Sequence, residues 1–160
     1  MELPITIIRS TPVVALILIM LFWFNSNIVP IVICVLMTLP IMISSVKTGI
    51  KTTNPNLVFF VKSRNFNSLM VLFRVKLINA RVNILEGALQ CFSLSWKVVI
   101  AGEVLCLPKK AIGTNIHISQ IHLETNEVIA NTIILVTISF IMEVLLKKAV
   151  KSLELKIKNN

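Results

Sequence analysis

Four polar residues interrupt an otherwise apolar segment, and their side chains could contact a polar solute. Glu86, Gln90, Lys97 and Glu103 all lie within residues 82–105. A charge at the centre of a bilayer costs about 2.5–3.5 kcal/mol on insertion scales, so such groups face a bundle interior, a pore or a partner. Their carboxylate, amide and ammonium groups can hydrogen-bond a solute and balance its charge.

We predict a polar path lined by Gln90, Trp96, Lys97 and Glu103. The two charged residues of this set, Lys97 and Glu103, are not spaced to lie on one helix face. Each can have a local role instead of lining the path. Lys97 can extend its ammonium group to the membrane interface. Glu103 can cap a helix or pair locally.

Two further residues have a local explanation. Glu86 is expected to pair with Arg81 or with another nearby basic residue. Trp23 is expected to anchor its segment at the membrane interface, where tryptophan is enriched. Trp96 has the same option, or it packs beside the path.

The sequence contains no catalytic or metal-binding pattern. His117 and His122 are poorly spaced for one helix face, and the chain has no Asp and no glycine-rich phosphate loop. Cys34, Cys91 and Cys106 show no CxxC spacing, which is against a disulfide framework or a metal site. We therefore expect no enzyme activity, and any ATP hydrolysis must belong to another chain.

The apolar runs that carry these residues predict an all-α polytopic membrane helix bundle. No Lys, Arg, Asp or Glu occurs within 11–46, hydrophobic residues make up 56% of the chain, and mean hydropathy is +0.88. Because one span needs about 20 residues, we predict about four transmembrane helices and an amphipathic cytoplasmic loop. The predicted spans are 12–24 (extended by 3–8), 28–46, 82–105 and 128–146. Residues 108–127 form a polar connection. Pro30 is expected in the first turn of the second span, and Pro40 is expected to kink that span.

The basic residues set the predicted orientation. Net charge is +9, and the segment 47–81 and the tail after residue 147 carry most of the lysines and arginines. Since cytoplasmic loops are enriched in Lys and Arg, both regions and both termini are placed in the cytoplasm. Within 47–81 we expect two short amphipathic helices at the membrane surface, around the apolar runs 57–60 and 69–73. The predicted domains are a transmembrane domain, 3–148, and a basic cytoplasmic tail, 149–160.

The most specific sequence resemblance lies in residues 94–105, Leu-Ser-Trp-Lys-Val-Val-Ile-Ala-Gly-Glu-Val-Leu. They resemble the Trp-Lys and Ala-Glu-Val signature of the nitrate/sulfonate/taurine branch of binding-protein-dependent ABC importer permeases. Similarity continues in order from residue 3 to about 148, in the segments 9–14, 21–24, 39–41, 49–50, 54–57, 111–113, 121–125, 128–132 and 139–140 and at residue 143.

The resemblance also implies an ATPase-docking loop between the second and third spans. The family pattern is Glu-Ala-Ala, then Gly, then Ile-x-Leu-Pro, and only Val75 and Leu77 fit it here. Asn65 stands at the Gly position and Ile78 at the Pro position. The expected docking residues are Phe59, Phe60, Val61, Asn65, Phe66, Val75 and Leu77.

The resemblance implies a permease subunit in the bacterial inner membrane that moves a small, nitrate-, sulfonate- or taurine-like solute by ATP-driven alternating access. It implies three kinds of partner: an ATP-binding subunit, a second permease chain and an extracytoplasmic solute-binding protein. It implies no cofactor. Family members are typically longer at the N-terminus, so a truncated, non-transporting permease remnant is one alternative. A small ATP-independent pore is another.

Overall fold

The computed structural model describes residues 7, 8, 10–53, 56, 59 and 75–159, and this part of the chain is helical without strands. The predicted docking residues Phe60, Val61, Asn65 and Phe66 and most of the predicted amphipathic loop helices lie outside it. Helices are numbered in chain order: α1 (Val13–Met20), α2 (Val29–Lys51), α3 (Leu77–Asn79), α4 (Arg81–Cys106), α5 (Ile112–Ile121) and α6 (Thr125–Asn159). The predicted all-α membrane bundle is confirmed.

Three of the described helices are long and apolar enough to cross a membrane: α2, α4 and the Thr125–Leu153 part of α6. They correspond to the second, third and fourth predicted spans. The first predicted span corresponds to α1, which has 8 residues. A helix of this length extends about 12 Å and is too short to cross a hydrocarbon core of about 30 Å. Pro12 has an extended ψ of 130° and bounds α1 on its N-terminal side. Residues 3–6 of the predicted extension lie outside the described residues.

The helices α2 and α4 are antiparallel and pack closely through small residues. A Cβ added to Gly87 would lie 2.5 Å from the Cβ of Ser45, and one added to Gly102 would lie 3.1 Å from Pro30. Small residues let membrane helices approach closely enough for van der Waals contact to hold them together. The Cys91 thiol adds a hydrogen bond to the Thr38 carbonyl oxygen across the same interface, at 3.4 Å.

The prolines of α2 lie where the sequence predicts them. Pro30 is in the first turn, where a missing N–H is tolerated, and Pro40 is inside the helix. The helix continues beyond the predicted end at residue 46 to Lys51. A kink at Pro40 stays a prediction.

The connection between α4 and α6 differs from the prediction, because it contains the helix α5. The chain turns after α4 at Leu107, whose backbone adopts the left-handed conformation with φ 51°. At the far end of α5, the buried Ser119 hydroxyl donates to Glu127 Oε2 at 3.1 Å, which ties α5 to the first turn of α6. The polar composition of 108–127 hid this helix, because α5 lacks a continuous apolar face.

The helix α6 runs without interruption across the predicted domain boundary at residues 148 and 149. It begins three residues before the predicted span and ends at Asn159. No Gly or Pro occurs after residue 125 to stop it. The boundary is therefore a change in composition, from apolar to basic, within one helix.

Candidate functional site

One face of α4 carries polar side chains and is turned toward α6. The positions Glu86, Gln90, Ser93 and Lys97 recur every three or four residues, which places them on a single helix face. On α6, the positions Ser139, Glu143, Lys147 and Lys151 recur every four residues and also lie on one face. These two polar stripes form a groove between the helices, termed the α4–α6 groove.

The central part of the groove is a cavity of about 370 Å³. We call it the Lys97 cavity. It combines polar side chains with an apolar wall. Its lining residues are Ser93, Trp96, Lys97 and Ile100 from α4 and Leu135, Val136, Ser139, Phe140 and Glu143 from α6. Two of the four predicted path residues, Trp96 and Lys97, are therefore brought together.

The two charged residues that line the Lys97 cavity, Glu143 and Lys97, differ in their ion pairing. Glu143 Oε1 lies 2.6 Å from Lys147 Nζ, one helical turn further along α6. Lys97 lies on the opposite wall and forms no ion pair of 4.0 Å or less with any residue that the structure describes. Across the groove, Glu143 also interacts electrostatically with Lys97 and with the Ser93 hydroxyl. The Lys97 charge is therefore partly compensated, which lowers the cost of an ammonium group within a bilayer.

Trp96 contributes an indole to the same cavity. Its Nε1 is shielded from solvent and has no hydrogen-bond acceptor among the described residues. A buried donor without a partner costs about 1–3 kcal/mol. The position thus combines a large apolar ring with a donor that this part of the chain leaves unsatisfied.

The groove continues from the Lys97 cavity toward the start of α4, at Arg81, and toward the part of α6 that contains Lys151. There it forms a cleft of about 500 Å³. We call it the Gln90 cleft, and it contains the third predicted path residue. Its lining residues are Glu86, Leu89, Gln90, Lys147, Val150 and Lys151. The structure therefore places Glu86 beside lysines of α6, whereas Arg81 Nε donates to the Ile78 carbonyl oxygen at 2.8 Å.

Glu103, the fourth predicted path residue, is directed toward α5 instead of the groove. Its Oε2 accepts a hydrogen bond from the backbone N–H of Gly113 at 3.0 Å, in the first turn of α5. A carboxylate at a helix N-terminus satisfies a free N–H and interacts favourably with the helix dipole. Gly113 sits tightly against α4, since an added Cβ would lie 2.5 Å from the Glu103 Cβ. This is the capping role that sequence reasoning left open.

The remaining sequence candidates lie away from the groove. Phe59 is 75% exposed, while Val75 and Leu77 are half-buried at the start of the segment that leads into α4. Trp23 is also 75% exposed, in the turn after α1, as suits an interfacial side chain. No group of three or more His, Cys, Asp or Glu that could hold a metal ion occurs among the described residues.

Sequence reasoning missed the α6 side of the groove. Ser139, Glu143 and Lys147 were available as a signal, because their four-residue spacing marks one face of a helix that is otherwise apolar. The predicted span 128–146 contains Glu143, whereas Lys147 lies just beyond its end. The continuation of α6 as one helix joins them into a single stripe.

Antiparallel spanning helices with a polar groove between two of them define a multi-pass membrane protein of the helix-bundle type. Residues 2–154 match the family described as binding-protein-dependent transport system inner membrane component. The chain belongs to this family and is a permease component of the inner membrane. No curated protein is a significant match to the chain.

Proposed function

We propose that this chain is the permease subunit of an ABC importer and carries a small, nitrate-, sulfonate- or taurine-like solute by ATP-driven alternating access. The observation that carries the proposal is the α4–α6 groove, in a chain that matches the permease family over residues 2–154. The residues 94–105 that resemble the nitrate/sulfonate/taurine branch include Trp96 and Lys97, which line that groove.

The charge of the groove supports an anionic solute. Its lining includes three lysines, Lys97, Lys147 and Lys151, against two glutamates, Glu86 and Glu143. An anion passing through the groove would offset this excess of positive charge and reduce the cost of holding ammonium groups in the membrane.

The distribution of basic residues supports a cytoplasmic position for one end of the bundle. Lys51 at the end of α2, Arg81 at the start of α4 and Lys147, Lys148 and Lys151 of α6 all lie at this end. By the positive-inside rule, it faces the cytoplasm and the ATP-binding subunit. A solute-binding protein would then approach the opposite end, where α5 lies, and a second permease chain would complete the pathway.

The packing at the cytoplasmic end suggests how nucleotide-driven movement would reach the groove. The segment containing the predicted docking loop leads into α3 and then α4, and Ala80 between them is fully buried. A Cβ added to Gly49 would lie 2.7 Å from the Ala80 Cβ, so α2 is in close contact at this point. Movement of the loop would carry α2 and α4 together relative to α6, opening or closing the groove by rigid-body motion.

The test is co-purification from membranes with a co-expressed candidate ATP-binding subunit. We expect the unaltered chain to recover the ATPase and a chain deleted for 59–76 to lose it. Deletion of 155–160 is the matched control, because it also removes basic residues at the cytoplasmic end and leaves the loop intact. A stably inserted, unaltered chain that recovers no ATPase would contradict the proposal.

A further inference from the structure

The short helix α5 joins α4 to α6 at the end of the bundle opposite the basic residues, and its two joints are built differently. Its 10 residues extend about 15 Å. At each joint the backbone passes through a residue other than glycine with a positive φ, 83° at Lys110 on the α4 side and 60° at Leu123 on the α6 side. The two joints together fix how α6 is held relative to α4.

The joint with α4 is closely packed. A Cβ added to Gly113 would lie 2.9 Å from the backbone nitrogen of Val104, so the backbone of α5 lies close to that of α4. Glu103 Oε2 accepts a hydrogen bond from the Gly113 N–H at 3.0 Å, and the Thr114 hydroxyl donates to the Pro108 carbonyl oxygen at 2.9 Å. Helices in such close contact cannot rotate against each other without losing van der Waals contact. We therefore expect α5 to move with α4.

The joint with α6 is more loosely packed. The buried Ser119 hydroxyl donates to Glu127 Oε2 at 3.1 Å. Residues of this joint line a cavity of about 200 Å³ and a cleft of about 490 Å³, and Leu123 between the two helices is 85% exposed. We call residues 119–127 the α5–α6 elbow. Because cavities leave room for rotation, a hydrogen bond between two side chains sets the angle of this elbow more than packing does.

The angle of the α5–α6 elbow controls the width of the α4–α6 groove. At 1.5 Å per residue, Lys148 lies about 35 Å along α6 from its first residue, Thr125. A rotation of about 15°, as occurs at subunit interfaces, would displace Lys148 by about 9 Å. The displacement is small near the elbow and grows along α6. It would therefore widen the Gln90 cleft more than the Lys97 cavity.

We propose that the α5–α6 elbow is a releasable hinge. While Ser119 donates to Glu127, the groove keeps its present width; when this hydrogen bond breaks, α6 pivots at Leu123 and the Gln90 cleft opens. The positive φ of Leu123 suits a hinge, because a side chain disfavours that conformation and surrounding contacts must hold it. Glu127 is exposed, so the bond can break at the surface while α5 stays folded on α4. That the opened end faces the cytoplasm rests on the proposed function; the hinge itself does not.

Distances between pairs of spin labels in the full chain, reconstituted in lipid, test the hinge. The reporting pair is Lys51→Cys on α2, which is packed against α4, with Lys148→Cys on α6. The reference pair is Lys51→Cys with Asn115→Cys on α5. All three positions are exposed. The 3 native cysteines are replaced by alanine, and labelled protein is diluted with unlabelled protein so that distances within one chain are measured.

Two substitutions break the hydrogen bond from opposite sides. Ser119→Ala removes the donor and should lengthen the Lys51–Lys148 distance by up to about 9 Å, while the Lys51–Asn115 distance stays unchanged. Glu127→Ala removes the acceptor at an exposed position and should give the same shift, so the test does not depend on the folding of Ser119→Ala. Glu127→Gln retains an acceptor oxygen and should keep the original distance.

The matched control is Thr132→Ala, near the same end of α6. The exposed Thr132 hydroxyl donates to the Val128 carbonyl oxygen of its own helix at 2.7 Å, so its removal should change neither distance.

An unchanged Lys51–Lys148 distance in both Ser119→Ala and Glu127→Ala would overturn the proposal. An equal shift of the Lys51–Asn115 distance would also overturn it, because α5 would then separate from α4. ATP-dependent uptake by a complex with the ATPase is measured separately. Uptake combined with unchanged distances in these variants would refute the hinge alone, whereas the expected distances without uptake would refute the transport function alone.

Discussion

The two faces of α4 differ in how closely they pack, and the difference separates residues that hold the bundle together from residues that are available to a solute. The face toward α2 uses Gly87 and Gly102, where an added Cβ would lie 2.5 Å from Ser45 and 3.1 Å from Pro30. The face toward α6 uses Gln90, Ser93 and Lys97 and leaves cavities of about 370 and 500 Å³. Long polar side chains prevent the second pair of helices from closing in the same way.

The groove can therefore change shape without disrupting the contact between α2 and α4. Close van der Waals packing fixes one register of two membrane helices. A groove lined by charged side chains and cavities has no single close-packed arrangement to lose. Alternating exposure of the groove is therefore compatible with a fixed α2–α4 pair.

The largest effect is expected from filling the close contact between α2 and α4. Gly87→Leu places a side chain where the Cβ alone would lie 2.5 Å from Ser45, so α2 and α4 must separate. Overpacking of this kind costs about 1–3 kcal/mol or more. We expect a lower melting temperature in detergent and less extractable protein. The control is Ala88→Leu, at the neighbouring exposed position; equal stability of the two variants would show that the close contact does not hold the pair.

An intermediate effect is expected at Glu103, which separates a capping role from a role in the groove. Glu103→Ala removes the acceptor for the Gly113 N–H and should cost about 0.5–2 kcal/mol, as loss of a helix cap does. Glu103→Gln retains an acceptor oxygen and should recover most of this stability, measured as melting temperature. If Glu103→Gln retains stability but abolishes solute uptake, the charge of Glu103 acts in transport and the capping account is incomplete.

The smallest effect on stability is expected from the ion pair at the edge of the groove. Lys147→Met breaks the pair with Glu143, whose side chains are 58% and 38% exposed. Pairs at this spacing on an exposed helix surface contribute about 0.3–0.5 kcal/mol. The melting temperature should change little relative to Lys148→Met. A large loss of stability would mean that the groove is as tightly packed as the α2–α4 contact, which would remove the distinction between the two faces.

The spanning helices could be predicted from the sequence because the bilayer requires long apolar runs. The uncharged segment 11–46 and the residues 82–105 and 128–146 each carry that signal in their own composition. Gln90, Trp96 and Lys97 could be proposed as path residues for the same reason, since polar groups in such a run need a polar environment.

The remaining features depend on contacts between distant parts of the chain. The helix α5 is held by Glu103, ten residues before Gly113, and its own sequence shows no strong periodicity. The close packing at Gly87 depends on the register of α4 against Ser45 of α2, and no local sequence pattern specifies this register. The α6 side of the groove became visible only when the apolar span and the basic tail were found to form one helix.

The most direct test of the account measures whether water reaches the groove and not the α2–α4 contact. In a chain whose 3 cysteines are replaced by alanine, Ser93→Cys places a thiol in the groove and Ser45→Cys places one against Gly87. A membrane-impermeant, charged thiol reagent is applied to membranes opened on both sides, with labelling of the denatured protein as reference. We predict rapid modification of Ser93→Cys and little modification of Ser45→Cys. Ser93→Cys reacting no faster than Ser45→Cys would contradict the central claim that the α4–α6 groove is a hydrated path.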